Sequence, residues 1–212
     1  MENRPVPLIA VLISGRGSNL AAIAGAIDAG TLRAQIAVVI SNRADAPGLE
    51  FARERGIPTV TLAQRDFPSR DAFDAALAAA IKAHAAPLVC LAGFMRRLGP
   101  AFCAAFPSAI LNVHPSLLPA FPGLDAQRQA LEHGVKVSGA TVHFVIPELD
   151  AGPIVMQAAV PVFDADTVET LSARILVEEH RIYPEAIGRV IEHEWRIEGP
   201  RVVFGRPSAP LR

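Results

Sequence analysis

Two polar residues stand at the end of an apolar run in the segment "ILNVHPS", where Asn112 and His114 alternate before Pro115. Side chains two positions apart lie on the same face of a β-strand, and a proline is typical of a strand end. An amide can donate to a developing oxyanion, and an imidazole can exchange a proton near neutral pH. The pair therefore predicts catalysis at the carboxyl end of a strand, although a histidine there can also be purely structural.

The turn-rich segment "PELDAGPIV" adds a carboxylate, Asp150. An acid in a loop is usually solvated, but beside His114 it would orient the imidazole and pair with its charged form. His143 alternates with Thr141 and Val145, so it can face either a cleft or the core. No histidine pattern such as H-E-x-x-H is present, and the sequence predicts no metal site.

A glycine loop follows the first apolar run in "PLIAVLISGRGSNLAAI" and leads into a helix-like pattern. A helix N-terminus presents unpaired N–H groups and a positive dipole end, and glycine allows a ligand to approach the backbone. Leu20 stands where a dinucleotide fingerprint needs a small residue, and no G-K-[ST] motif occurs. The loop at Gly17, Ser18 and Asn19 therefore predicts a small phosphate site. A phosphorylated dinucleotide bound through Arg43 and a tight turn that needs glycine are the alternatives.

The elements that must position these residues follow an α/β pattern. Apolar runs predict strands over 8–14, 34–41, 57–62, 87–93 and 109–114. The amphipathic segments between them predict helices and right-handed crossovers, hence an open, mainly parallel, Rossmann-like sheet with helices on both faces. In such folds, ligands bind beyond the carboxyl ends of the strands.

Helix boundaries and the second half of the chain complete this prediction. Ser18 or Asn19 is expected to cap the first helix, Asp45 to open the second, Gly56 to close it, and Ser69 to cap a third over 70–85. A helix over 126–132, strands near 137–146 and 154–162, and a helix over about 167–193 follow, giving an antiparallel extension towards the C-terminus. A hairpin is expected around Glu198 and Gly199, before a fraying tail. We expect a single domain over 1–212, with a core at about 7–195 and a tail at 196–212.

Composition limits the possible partners. The formal net charge of −1 gives no reason to expect nucleic acid, and no apolar run is long enough to span a bilayer. The N-terminus lacks the apolar stretch of a signal peptide, so the prediction is a cytoplasmic protein. Cys90 and Cys103 lie in apolar surroundings without C-x-x-C spacing, which indicates buried, reduced thiols.

Six segments, taken in order, resemble the folate-dependent formyltransferases, and among them the phosphoribosylglycinamide formyltransferases of purine biosynthesis. They are "VLISGRGSNL", "SNRADAPGLEFARERGIP", "LAGFMRRL", "ILNVHPSLLPAFPGL", "HFVIPELDAGPIVMQ" and "EEHRIYP", and the match covers roughly residues 8–195. The Asn-x-His-Pro-Ser-Leu-Leu-Pro segment with the later Leu-Asp-x-Gly is highly specific to this family. The resemblance implies direct transfer of the formyl group of 10-formyltetrahydrofolate, as cosubstrate, to the amine of glycinamide ribonucleotide.

The same resemblance implies roles for individual residues. Asn112, His114 and Asp150 match the catalytic residues. Gly17, Ser18 and Asn19 match the residues that hold the ribonucleotide phosphate, and Glu179 matches an acid that contacts the ribose. The positions that match the folate pocket are Arg70, Met95, Arg96, Arg97, Leu98, Asn112, Ile146, Pro147, Glu148, Leu149 and Asp150. Arg97 stands where an apolar residue is usual, and Asp125 and Gln127 replace residues that are often histidine.

Other functions remain open at this point. A methionyl-tRNA formyltransferase is expected to have a further RNA-contacting domain after Trp195, and a formyltetrahydrofolate hydrolase an additional N-terminal regulatory domain. A non-catalytic nucleotide-binding module would keep the phosphate loop but would not need Asn112, His114 and Asp150. We expect small-molecule substrates, no nucleic acid or membrane partner, and a monomer or weak homodimer.

Overall fold

The computed structural model describes residues 5–205. The chain divides into two compact units, Met1–Leu111 and Asn112–Arg212, and the division falls within the strand that carries Asn112 and His114. The expectation of a single domain over the whole chain stays a prediction, and its tail beyond residue 205 lies outside the described residues.

The first unit alternates strands and helices. Its elements are β1 (Leu8–Ile13), α1 (Ser18–Asp28), β2 (Gln35–Ser41), α2 (Pro47–Glu54), β3 (Thr59–Thr61), a 3₁₀ turn (Gln64–Asp66), α3 (Arg70–Ala83), β4 (Leu88–Leu91), α4 (Pro100–Ala105) and the start of β5 (Ile110–His114). The first four strands lie in the order β3-β2-β1-β4, and each neighbouring pair is parallel. The apolar runs of β1, β2 and β4 are buried almost throughout, which is the pattern of strands covered on both faces.

Two of the expected helix caps differ from the prediction. Gly17, with a φ of 76°, occupies the N-cap position of α1, so neither Ser18 nor Asn19 caps that helix. Glycine takes this position because the left-handed backbone is strained for residues with a side chain. Asp45 does not open α2, because its carboxylate binds the guanidinium of Arg43 at 2.8 Å and Ala46 becomes the N-cap.

The remaining cap predictions for this unit are confirmed. The hydroxyl of Ser69 accepts a hydrogen bond from the N–H of Ala72 at 3.1 Å and so caps α3. Gly56 follows α2 with a φ of 67°, as expected of a glycine that closes a helix. Cys90 and Cys103 are both buried, as their apolar surroundings indicate.

The second unit contains the end of β5 and the antiparallel strands. It continues with α5 (Ala126–Glu132), β6 (Val137–Phe144), β7 (Ile154–Pro161), α6 (Val168–Glu192), β8 (Trp195–Glu198) and β9 (Arg201–Phe204). The strands β6 and β7 are antiparallel, as are β8 and β9, while β7 and β9 are parallel. The predicted hairpin around Glu198 and Gly199 is confirmed, and so is the mainly parallel α/β class with antiparallel strands towards the C-terminus.

Helix α6 stabilises this second unit. Thr167 and Thr170 form a capping box at its N-terminus, and Ile175 and Tyr183 are fully buried where the helix packs on β6 and β7. Within residues 5–205, no helix combines the length and the apolar character that crossing a membrane requires.

Candidate active site at the end of β5

The side chain of His114 lies at the carboxyl end of β5 and is only 5% exposed. Its Nε2 lies 2.9 Å from the carbonyl oxygen of Phe121, and a ring nitrogen that faces a carbonyl must carry the proton. Its Nδ1 lies 3.5 Å from Oδ2 of Asp150. Both ring nitrogens therefore face oxygen acceptors, and the doubly protonated imidazolium is the form that suits both of them.

The carboxylate of Asp150 is shared between the imidazole and the main chain. Its Oδ2 accepts a hydrogen bond from the N–H of Gly123 at 2.8 Å, and its Oδ1 lies 3.8 Å from Nε2 of His143. Asp150 has a φ of 49°, in the left-handed region that aspartate tolerates better than most residues. The side chain is about nine-tenths buried, so Asp150 is not the solvated loop acid of the alternative interpretation.

His143 belongs to the same cluster, although the sequence alone did not decide whether its side chain faces a cleft or the core. Its Nδ1 donates to the carbonyl of Phe144 at 2.9 Å, which leaves Nε2 to accept from the Asn112 amide at 3.2 Å. Burial lowers the pKa of His143 below its usual value of 6.5, against the opposing effects of the Phe144 carbonyl and Asp150. His143 therefore serves as a neutral acceptor that orients the amide of Asn112.

Gly152 explains how the Asp150 loop reaches this cluster. A Cβ atom at Gly152 would overlap the carbonyl oxygen of Phe144, the same oxygen that accepts the proton of His143. The N–H of Phe144 in turn donates to the carbonyl of Pro153 at 2.9 Å. The glycine of the Leu-Asp-x-Gly motif thus permits a close backbone approach, a requirement that its pattern could have revealed.

Two polar side chains that the sequence analysis missed fix the proline-rich loop after β5. The hydroxyl of Thr141 donates to the carbonyl of Ser116 at 2.7 Å and accepts from the N–H of Leu118 at 3.0 Å. The amide of Gln157 donates to Thr141 Oγ1 and to the Leu118 carbonyl, both at 2.9 Å. Thr141 and Gln157 lie on adjacent positions of β6 and β7, so the antiparallel pair holds the loop that leaves His114.

The glycine loop of the first unit has features of a tight turn that needs glycine and also of a phosphate site. A Cβ atom at Gly17 would lie 3.0 Å from Cα of Gly48, and the N–H of Gly48 donates to the Gly15 carbonyl at 3.1 Å. The glycines are therefore needed for packing of this loop on the start of α2. The first turn of α1 also has no side-chain cap, which suits an anion at its N-terminus. Ser18 is half-buried and Asn19 is buried.

The residues expected to line the folate pocket fall in both units. In the first unit, Met95, Arg96 and Arg97 are exposed and Leu98 is buried, while Arg70 begins α3 with a side chain that is 43% exposed. In the second unit, Ile146 and Pro147 are half-buried, the side chain of Asp150 is about nine-tenths buried, and Glu148 and Leu149 are exposed. Glu179, the expected ribose contact, is buried on α6.

No group of three or more His, Cys, Asp or Glu side chains between residues 5 and 205 is arranged to hold a metal ion. The arrangement that is present can stabilise negative charge and hold a proton. Asn112 offers an amide donor, His114 a ring whose two nitrogens face oxygen acceptors, and Asp150 a carboxylate 3.5 Å from that ring. Such a cluster suits acyl transfer, in which an oxyanion develops on a carbonyl oxygen.

Comparison with known proteins agrees with this chemistry. A model of the family described as formyl transferase matches residues 8–187. Phosphoribosylglycinamide formyltransferase of Escherichia coli is 49% identical over 191 residues, which are 88% of this chain and 90% of that protein. The human trifunctional purine biosynthetic protein adenosine-3 is 48% identical over 84% of this chain, which spans 18% of that larger protein. A crystal structure of glycinamide ribonucleotide transformylase 1 from Symbiobacterium toebii has a TM-score of 0.92 and 58% identity and covers 94% of each chain.

Proposed function

The chain belongs to the formyl transferase family, and we propose that it transfers the formyl group of 10-formyltetrahydrofolate to the amine of glycinamide ribonucleotide in purine biosynthesis. The observation that carries this proposal is the His114–Asp150 pair, with the Asn112 amide beside it at the end of β5. The identity to the Escherichia coli enzyme over nine-tenths of its length supports the choice of substrates.

In the proposed reaction, the neutral amine of the ribonucleotide attacks the formyl carbon. A carbon–nitrogen bond forms, the carbonyl electrons move to oxygen, and a tetrahedral species results. The Asn112 amide and the protonated His114 ring stabilise that oxygen, and Asp150 stabilises the charge on the ring. When the bond to folate nitrogen N10 breaks, the electron pair stays on that nitrogen, which takes up the proton that the amine loses.

This mechanism requires that one hydrogen bond between His114 and the loop after β5 can be displaced or shared. The Nε2 proton of His114 is donated to the carbonyl of Phe121. Because a single N–H cannot serve two acceptors at full strength, the substrate oxygen must displace or share this hydrogen bond. The carbonyl of Phe121 therefore acts as a stand-in acceptor that keeps the proton of His114 in place until the substrate binds.

The binding residues are proposed from the family resemblance. Gly17, Ser18 and Asn19 would hold the phosphate, mainly through N–H groups of the first turn of α1, and Glu179 would contact the ribose. Arg70 would meet the acidic glutamyl tail of folate in solvent, because its side chain is partly exposed. The remaining folate contacts would come from Met95, Arg96, Arg97, Leu98, Asn112, Ile146, Pro147, Glu148, Leu149 and Asp150.

Purified protein incubated with 10-formyltetrahydrofolate and one acceptor at a time tests this function. We expect formylation of glycinamide ribonucleotide and not of methionyl-tRNA. Formate release without an acceptor would indicate a hydrolase, and absence of any folate turnover would leave only a nucleotide-binding module. A His114→Ala variant should lose the activity, while His84→Ala, at the end of α3, serves as a histidine control outside the cluster.

We also propose that the protein acts in the cytoplasm as a monomer or weak homodimer, without nucleic acid or membrane partners. Sedimentation equilibrium over a range of protein concentrations tests the oligomeric state. A tight oligomer at micromolar concentration would contradict this part of the proposal.

A further inference from the structure

The segment Met95–Leu98 is held at its start by Ser14. The Ser14 hydroxyl accepts a hydrogen bond from the N–H of Met95 at 2.8 Å and donates to Oδ1 of Asn42 at 2.6 Å. The N–H of Ser14 also donates to the carbonyl of Gly93 at 3.1 Å. Ser14 is buried directly after β1, so its two contacts with Gly93 and Met95 fix the position of the chain just before and at Met95, while Asn42 orients its hydroxyl.

Asp74 holds the other end of the same segment. Its side chain on α3 is only 4% exposed, and Oδ2 accepts a hydrogen bond from the N–H of Gly99 at 2.7 Å. A Cβ atom at Gly99 would lie 2.8 Å from this oxygen, so the absence of a side chain permits the close contact. The same Oδ2 lies 3.9 Å from Nε of Arg70, one turn earlier on α3.

We propose that Ser14 and Asp74 are positioning residues that clamp the backbone of Met95–Leu98 from both ends and so determine how tightly folate binds. The inference rests on the proposed function, which assigns this segment and Arg70 to folate. Three of the four side chains in the segment are exposed, and exposed side chains contribute little to holding a backbone in place. The two buried acceptors at its ends, together with the buried side chain of Leu98, therefore hold its conformation.

The chemistry of Asp74 suits a positioning role. Burial raises the pKa of Asp74, and the hydrogen bond from Gly99 together with the charge of Arg70 opposes that change. A buried carboxylate is costly for stability, and an apolar side chain there would leave the Gly99 N–H without an acceptor. Asparagine would keep an acceptor oxygen for that N–H and remove the charge. This substitution therefore separates the contribution of the hydrogen bond from that of the negative charge.

Substitutions at Asp74 test the clamp by its effect on each substrate. Asp74→Ala should raise the KM for 10-formyltetrahydrofolate about tenfold, with kcat and the KM for the ribonucleotide within about twofold of the wild-type values, because a remote contact contributes mainly to binding. Asp74→Asn should restore most of the folate affinity. If asparagine and alanine have the same effect, or if both substrates are affected equally, the proposed role of Asp74 is wrong.

Ser14→Ala should have a different signature. Ser14 immediately precedes the glycine loop at Gly15 and Gly17, so its loss should raise the KM for both substrates. An unchanged folate KM in this variant would overturn the two-ended clamp. Should Asp74→Ala fail to fold, Gly99→Ala tests the same hydrogen bond from the other side, because the φ of −82° at Gly99 accepts alanine while the new methyl displaces Asp74.

Hydrogen exchange provides a measurement that does not depend on activity. The Gly99 amide should exchange faster in Asp74→Ala and the Met95 amide faster in Ser14→Ala, while the amides of β1 and β4 stay protected. Wild-type protein without formyl transfer activity would refute the proposed function, yet the exchange rates would still report on the clamp. Active wild-type protein with unchanged Gly99 exchange in Asp74→Ala would refute the clamp alone.

Discussion

Replacement of Asp150 by asparagine isolates the charge that faces His114. Asparagine has nearly the same shape, and its side-chain oxygen can still accept the N–H of Gly123, which Asp150 binds at 2.8 Å. The variant therefore keeps the anchor of the loop and removes only the negative charge 3.5 Å from Nδ1 of His114. Asp150→Ala, in comparison, removes both the charge and the anchor.

The separation of these two groups limits the size of the effect. Two unit charges 3.5 Å apart attract each other by roughly 5 kcal/mol at an effective dielectric constant of about 20. This value is an upper limit, because the removal of both groups from water opposes the attraction. We expect Asp150→Asn to raise the activation free energy by about half of this attraction, which corresponds to a loss of about 10²-fold in kcat. His114→Ala should cost about 10²- to 10⁴-fold, the range of a lost proton donor.

Steady-state kinetics of the two single variants and the double variant decide whether the residues act together. Because both stabilise one developing charge, the double variant should be little slower than His114→Ala alone. Thermal unfolding should show Asp150→Asn close to the wild type and Asp150→Ala less stable. Strictly additive rate losses would refute the proposed coupling and leave Asp150 as an anchor for the loop at Gly123.

Three further predictions address other parts of the chain. Gly17→Val should raise the KM for the ribonucleotide and leave the folate KM unchanged, because valine disfavours a φ of 76° and meets Gly48. An equal loss of affinity for both substrates would mean that the fold is damaged. Arg70→Ala should raise the folate KM with kcat retained, and a fall in kcat at constant KM would contradict its assignment to the folate tail. Burial lowers the pKa of His143, so the unfolded chain binds more protons just below pH 6.5. His143 should therefore not lower the free energy of unfolding above about pH 6.5. That free energy should decrease as the pH falls below this value, and the decrease should be smaller in His143→Gln. An equally steep decrease in that variant would assign the effect to other groups, among them His180, whose pKa burial also lowers.

Much of the fold could be predicted because its signals are local. The parallel strands are continuous apolar runs, the Ser69 cap directly precedes a periodic helix, and the helix at Ala126–Glu132 has the predicted bounds. The errors arose where tertiary packing decides the local structure. Gly17 takes the cap position of α1 because its loop must approach Gly48, a contact that no local pattern contains. Helix α4 has only six residues, too few for its periodicity to be recognised.

In the candidate site, too, the features that depend on local sequence could be predicted, and those that depend on tertiary packing could not. The common face of Asn112 and His114 follows from strand periodicity, because the two residues lie in one element. The approach of Asp150 does not, since it depends on a left-handed backbone at Asp150 itself and on the absence of a side chain at Gly152. The role of His143 depends in turn on the Phe144 carbonyl, which Gly152 allows to remain in place. One small residue in the Asp150 loop thereby sets the positions of both an acid and a histidine, so Gly152→Ala should lower kcat in the formyl transfer assay, because the added methyl group would meet the Phe144 carbonyl.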